Sequence, residues 1–125
     1  MKMFSAIDNK TKELVGHVQF LIDKPNDIAG IARMIIAPKQ RGKGYGKFVI
    51  NELLKFGFNE IKLNLINLVV FDLNISAIKC YENCGFIKEG ILRDRRKIGN
   101  EYWSLVSMSV KKNEYLQRIE SKEVL

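Results

Sequence analysis

Ile31-Ala32-Arg33-Met34-Ile35-Ile36-Ala37-Pro38-Lys39-Gln40-Arg41-Gly42-Lys43-Gly44-Tyr45-Gly46-Lys47-Phe48 is the stretch on which the reading of this chain turns. The apolar run to Ala37 has strand character, and Pro38 ends it. From Phe48 to Phe58 the apolar residues recur with helical spacing. Between them lie three alternating glycines and the cations Lys39, Arg41, Lys43 and Lys47. Glycine lets a backbone approach a ligand closely, and a helix start offers unpaired N–H groups with a partial positive charge. Strand, glycine turn and helix together make a cradle for phosphate or pyrophosphate. A basic surface turn has the same composition, so the rest of the chain must decide.

Two phosphate loops fail on spacing. A P-loop needs Gly-Lys-Ser/Thr five residues after its first glycine. Here Gly46-Lys47 is followed by Phe48, and Arg41 holds the earlier position. The dinucleotide fingerprint G-x-G-x-x-G does not fit Gly42, Gly44 and Gly46. The pattern that remains is Arg41-x-x-Gly44-x-Gly46.

The chain has 125 residues, the size of one small domain. Hydrophobic residues make up 46% and charged residues 28%, a globular balance. No apolar run is long enough for a membrane span, and the N-terminus lacks a signal-peptide pattern, so a cytoplasmic location is expected. Cys80 and Cys84 are one helical turn apart and His17 is remote. That is too few ligands for zinc, and reduced thiols with no metal are expected. The formal charge of +7 attracts polyanions, including a phosphorylated cofactor, and opposes a polycationic substrate at long range unless a local acidic pocket overrides it. Its cations are scattered rather than interleaved with aromatics on one strand, so no nucleic-acid partner is expected.

In chain order, Met3–Ile7 and Leu14–Ile22 read as a β-hairpin, the second strand with Val18, Phe20 and Ile22 on its apolar face. Lys24-Pro25-Asn26-Asp27 is a turn, and Ile28–Ala37 a third strand with Ala32, Met34 and Ile36 on one face. A helix is expected from Gly44 to about Lys62, burying Phe48, Val49, Leu53, Phe56 and Ile61, with Gly57 weakening its end. Leu65–Phe71 reads as a strand buried on both faces in a parallel pairing. Asn74 is a good N-cap for a helix over Ile75–Asn83, Gly85 a C′ residue, and Phe86 its apolar companion. Phe86–Arg93 and Tyr102–Lys111 are the last strands. Asn113 is expected to cap a helical tail over 114–123, or the tail to fray. The expectation is one α+β domain over residues 1–125 with a mixed sheet, in the order β-β-β-α-β-α-β-β.

Two motifs in this order carry a resemblance. Arg41-x-x-Gly44-x-Gly46 resembles the Q/R-x-x-G-x-G/A signature of the GNAT superfamily of acetyl-CoA-dependent N-acetyltransferases. Asn74-Ile75-Ser76-Ala77-Ile78-Lys79-Cys80-Tyr81-Glu82-Asn83-Cys84-Gly85-Phe86 fills every fixed position of the family's second motif, N-x-x-A-x-x-x-Y-x-x-x-G-F. The tail from Glu89-Gly90 through Trp103 to Met108 is similar to the branch containing ribosomal-protein alanine and spermidine acetyltransferases. The resemblance covers roughly residues 13 to 112.

The resemblance implies a GNAT-like sheet whose central strand pair splays to admit the pantetheine of acetyl-CoA. It assigns that arm to the backbone of Met34, Ile35 and Ile36, with the Met34 amide on the thioester carbonyl. It gives the pyrophosphate to Arg41, Gly42, Lys43, Gly44, Tyr45, Gly46 and Lys47, and another pantetheine contact to Asn74. It makes Tyr81 the acid that protonates the departing thiolate. Some members place a basic glutamate on the strand before the glycine turn, but the matching residue here is Gly30 and the strand has no carboxylate. Asp27, Glu13, His17 and a water chain are the remaining ways to deprotonate the amine.

Family members usually carry further residues before the first strand, which wall the acceptor pocket, whereas this chain begins inside the first hairpin. A short form, a fragment, or a pocket finished by a second subunit all fit, and a homodimer is expected. The leading reading is an enzyme acetylating a primary amine, either a small molecule or a protein N-terminus. The alternative is a non-catalytic acetyl-CoA-binding or interaction module.

Overall fold

The computed structural model describes the backbone of residues 2–7, 14–36 and 45–124, and the side chains of 17–32 and 45–120. Six strands form one sheet in the order β1-β2-β3-β4-β6-β5. The strands are β1 (Lys2–Ile7), β2 (Leu14–Asp23), β3 (Ile28–Ile36), β4 (Leu65–Phe71), β5 (Ile87–Ile98) and β6 (Glu101–Lys111). The helices are α1 (Tyr45–Lys55), α2 (Ile75–Asn83) and α3 (Lys112–Val124). All neighbours are antiparallel except β3 and β4. The expected α+β order holds, with α3 added at the end. Among the described residues no helix is long and apolar enough to cross a membrane.

One face of the sheet carries the core. Val18 and Phe20 of β2, Ala29 and Ile31 of β3, Ile66 and Leu68 of β4, and Met108 and Val110 of β6 pack there against Val49, Ile50, Leu53 and Leu54 of α1 and Ile78 of α2. In β2 Val18 and Phe20 are buried as expected, and Ile22 is half-buried against the same core. In β3 they are Ala29 and Ile31, so Ala32 lies on the other face, a correction of one residue in phase. In α1 the buried set includes Ile50 and Leu54, whereas Phe48 is 57% exposed. An aromatic side chain had shifted the apparent stripe by part of a turn.

The expected helix to Lys62 stops at Lys55. Phe56–Glu60 winds wider, with Ile61 N–H bonding Phe56 C=O at 3.1 Å. Gly57 sits there against the core: a Cβ on it would lie 2.7 Å from Ile66 Cδ1.

β4 was expected to be buried on both faces. Instead Ile66 and Leu68 are buried while Val69 is 52% exposed, because no described helix covers the opposite face. β4 also pairs antiparallel with β6 along its whole length, so it is only half parallel.

β5 runs five residues past its expected end and pairs with β6 up to Ile98↔Glu101, leaving Gly99-Asn100 as the turn. α3 starts at Lys112, two residues before the expected Glu114; Asn113 Oδ1 accepts from Glu114 N–H at 2.9 Å, and Glu114 Oε1 accepts from Lys111 N–H at 2.8 Å, half of a capping box.

Candidate active site

The parallel pairing of β3 with β4 covers four residues on each strand, from Ile28↔Leu65 to Ile31↔Leu68. β3 continues to Ile36 and β4 to Phe71 with no further pairing between them among the described residues. A gap therefore opens between the middle strands on the side where both chains lead into a helix, which is where ligands enter open α/β sheets. On its other edge β3 bulges. His17 pairs with Ile35 and Gln19 with Ala32, so Val18 alone stands opposite both Arg33 and Met34. A bulge leaves one residue out of the ladder. Met34 thus lies in an interrupted ladder, beside the gap. Ile35 and Ile36 pair with β2 through His17 and Gly16.

Arg41, Gly42, Lys43 and Gly44 lie outside the described residues. Tyr45, Gly46 and Lys47 form the first turn of α1, within the helix expected from Gly44. The first turn of a helix carries a partial positive charge that favours an anion. α1 follows β3 in sequence, so its N-terminus belongs to the chain leaving the gap.

α2 carries the other half of the site, and its geometry explains the motif residue by residue. Asn74 is the N-cap: its Oδ1 accepts from Ala77 N–H at 3.2 Å and from Ser76 Oγ at 3.3 Å. The other end closes with a Schellman motif. Phe86 N–H donates to Tyr81 C=O and Gly85 N–H to Glu82 C=O, each at 3.0 Å. Gly85 has φ +102°, which L side chains rarely adopt. The apolar contact that accompanies such caps is Phe86 on Tyr81, with centroids 5.9 Å apart. Phe86 is 3% exposed and belongs to the core.

Tyr81 is half-buried against the core on the helix side of the sheet. Burial pushes its phenol pKa above 10.0, helped by the neighbouring Cys80 and Cys84. It is therefore protonated throughout the neutral range, an acid rather than a base. Cys84 is buried, and its thiol is pushed up to about 11, chiefly by burial. Its Sγ donates weakly to Lys47 C=O at 3.8 Å, tying the end of α2 to the first turn of α1.

One residue near the gap escaped sequence reasoning. A Cβ on Gly30 would lie 3.0 Å from Asn67 Oδ1, so the Asn67 amide leans over the glycine where some family members carry a base. The signal was present: Asn67 is the single polar residue in Leu65–Phe71. Of the other candidate bases, His17 and Asp27 are placed away from one another, on β2 and in the turn before β3, and Glu13 lies outside the described residues. Among the described residues no group of three or more His, Cys, Asp or Glu is placed to hold a metal ion.

Comparison with known proteins gives the same family. Residues 2–86 match the model of the acetyltransferase (GNAT) family. The spermidine N(1)-acetyltransferase of Vibrio cholerae is 32% identical over 115 residues, 92% of this chain and 66% of that protein. An uncharacterized N-acetyltransferase p20 of Bacillus licheniformis is 33% identical, over 90% of this chain and 63% of its own length. The chain thus spans just under two thirds of these relatives. Among solved structures, the spermidine N-acetyltransferase SpeG of Vibrio cholerae in complex with CoA and spermine is 33% identical with a TM-score of 0.85, covering 91% of this chain and 67% of that one. Its F149A mutant gives a TM-score of 0.86. With matching motifs, a matching fold and a family model across more than half its length, this chain belongs to the GNAT acetyltransferase family.

Proposed function

We propose that the protein transfers the acetyl group of acetyl-CoA to a primary amine of a polyamine such as spermidine, by direct attack in a ternary complex. The observation that carries this reading is Tyr81, a phenol kept protonated by burial and fixed at the last turn of α2, the helix that follows β4. The polyamine class is supported by the relatives, one named a spermidine acetyltransferase and one solved with CoA and spermine.

In this reading pantetheine lies along the open edge of β3, and Met34 N–H points to the thioester carbonyl. The first turn of α1, with Arg41 and the glycines before it, takes the pyrophosphate. Asn74 uses its oxygen for the cap, leaving its NH₂ group for the arm. The neutral amine attacks the carbonyl carbon, and the oxyanion that forms is held by the β3 amide. The C–S bond then breaks, Tyr81 gives its proton to the leaving sulfur, and the amide nitrogen loses its extra proton to water. Asn67 beside Gly30 can orient a water but cannot take a proton, and in this reading the proton of the amine leaves through a water chain. The net charge of +7 opposes a polycation, so acceptor recognition has to be local.

The test is turnover with acetyl-CoA and a panel of spermidine, spermine, an aminoglycoside and an N-terminal alanine peptide, with free thiol detected. Release of CoA with spermidine supports the reading. CoA binding without turnover on any amine would leave the binding-module alternative. Gly44→Val adds a side chain where backbone should meet phosphate, and unchanged CoA binding by calorimetry in that variant would remove the glycine turn from the site.

A further inference from the structure

α3 is docked against the domain rather than frayed. Lys112 N–H donates to Asn64 C=O at 2.8 Å, and the Tyr115 ring stacks on Phe58 at 5.0 Å. These contacts set the helix so that Arg118, one turn further on, meets the end of α2. Arg118 Nη2 donates to the carbonyl of Asn83, the last residue of α2. That carbonyl is one of the four that a helix end leaves without internal partners, and a guanidinium there also meets the negative end of the helix dipole. Arg118 Nη1 lies 3.0 Å from where a Cβ on Gly85 would be. Gly85 therefore answers two demands: its positive φ for the Schellman turn, and room for the guanidinium to lie against the backbone.

The next links are short. Asn83 is two residues from Tyr81. The Tyr81 carbonyl holds both Cys84 N–H and Phe86 N–H at 3.0 Å, so the turn that Arg118 grips is the turn built on Tyr81. We propose that Arg118 is a positioning residue for Tyr81: α3 clamps the C-terminal turn of α2 and thereby sets where the phenol stands. This rests on the reading of Tyr81 as the acid for the leaving thiolate. Arg118 itself touches neither reacting partner; it acts through the helix end.

The experiment is a double-mutant cycle. Arg118→Met keeps most of the aliphatic stem over Gly85 and removes the donors. It also lines an open cleft with Asn51, Glu52 and Lys55, so the change leaves solvent rather than a dry void. The expected result is a fall in kcat of between about ten- and a hundredfold, the scale set by small misplacements of reacting groups, with KM for acetyl-CoA within about twofold. Arg118→Lys, which retains one donor, should recover part of the loss. In the Tyr81→Phe background Arg118→Met should cost nothing further, because its effect passes through the hydroxyl that has gone. A residue that only stabilised the fold would leave kcat per folded molecule unchanged, and one acting elsewhere in the reaction would multiply with Tyr81→Phe; either result overturns the proposal.

If Tyr81→Phe alone leaves kcat intact, it is the role of Tyr81 that fails, and hydrogen exchange then judges the clamp. Arg118→Met should speed exchange of the Cys84 and Phe86 amides while those of Ile66 and Val110 in the core strands stay slow. Unchanged protection at Cys84 and Phe86 would show that Arg118 positions nothing there.

Discussion

Phe86 N–H reaches back five residues to the carbonyl of Tyr81 at 3.0 Å, and the rings of the same two residues stand 5.9 Å apart at 60°. Main chain and side chain thus lock one pair twice. A phenol at the end of a short helix would otherwise ride on a turn that frays. Phe86 also plugs the core at 3% exposure, so the cap is anchored as well as closed.

Phe86→Leu tests this pairing. It keeps an apolar side chain of roughly the right size and loses the ring contact. The expected cost is about 1 kcal/mol, typical of hydrophobic swaps in a packed site, measured by urea unfolding. In the folded fraction kcat should fall while CoA affinity holds. A variant with reduced stability and full turnover per folded molecule would mean that the ring contact serves only the core.

The sequence carried α2 almost completely, because each special position there is a local rule: an N-cap at Asn74, a glycine at φ +102° and an apolar residue after it. The same holds for the alternation of β2. What was not legible depends on distant packing. β4 looked buried on both sides because Val69, Val70 and Phe71 continue its apolar run, and nothing local says that no described helix covers one face of the sheet. Arg118 looked like one cation in a charged tail; its partner Asn83 is 35 residues away. The glycine turn at 42–44, the strongest signal in the sequence, lies outside the described residues, so its phosphate role still rests on the motif.

Gly57 shows propensity and packing opposing one another. In an exposed helix, Gly→Ala is worth about 1 kcal/mol in favour of alanine. Here the new methyl would lie 2.7 Å from Ile66 Cδ1 and 3.3 Å from Leu63 Cδ1 and Phe20 Cζ, all three residues being fully buried. Overpacking of that kind costs roughly 1–3 kcal/mol, so Gly57→Ala should destabilise on balance. A higher unfolding midpoint for this variant would show that the wide turn relaxes to admit the methyl.

Cys84 gives the fold an alkaline limit. Its thiol titrates at about 11 when folded and 9.0 when free, because burial, followed by the neighbouring Cys80, disfavours the thiolate. A raised pKa means that the folded state keeps a proton the unfolded chain has lost. The associated stability is whole below pH 9.0 and is lost as the pH climbs to about 11. Tyr81 adds loss of the same sign above its free value of 10.0. Urea midpoints should therefore fall across this range, and Cys84→Ala, less stable at neutral pH, should show a shallower fall. Parallel profiles for the two proteins would assign the alkaline loss to other groups.

Tyr81→Phe is the sharpest test of the chemistry. The change keeps the ring, its contact with Phe86 and its place against the core, and removes one hydroxyl. Burial raises the phenol pKa, which cuts two ways: the proton is always present at neutral pH, but a weaker acid gives it up less readily. A coenzyme A thiolate leaving into a partly dry gap is a stronger base than the same group in water, which restores the driving force. The loss in kcat should be on the order of 10²-fold or more, with little change in CoA affinity and a melting temperature near that of the parent. Because an acid is being removed, the rate of the parent should decline at alkaline pH above 10, where the phenol begins to ionise, and the variant should lack that decline. Near-normal turnover in a well-folded Tyr81→Phe protein would mean that solvent protonates the thiolate and that Tyr81 is there to close the helix.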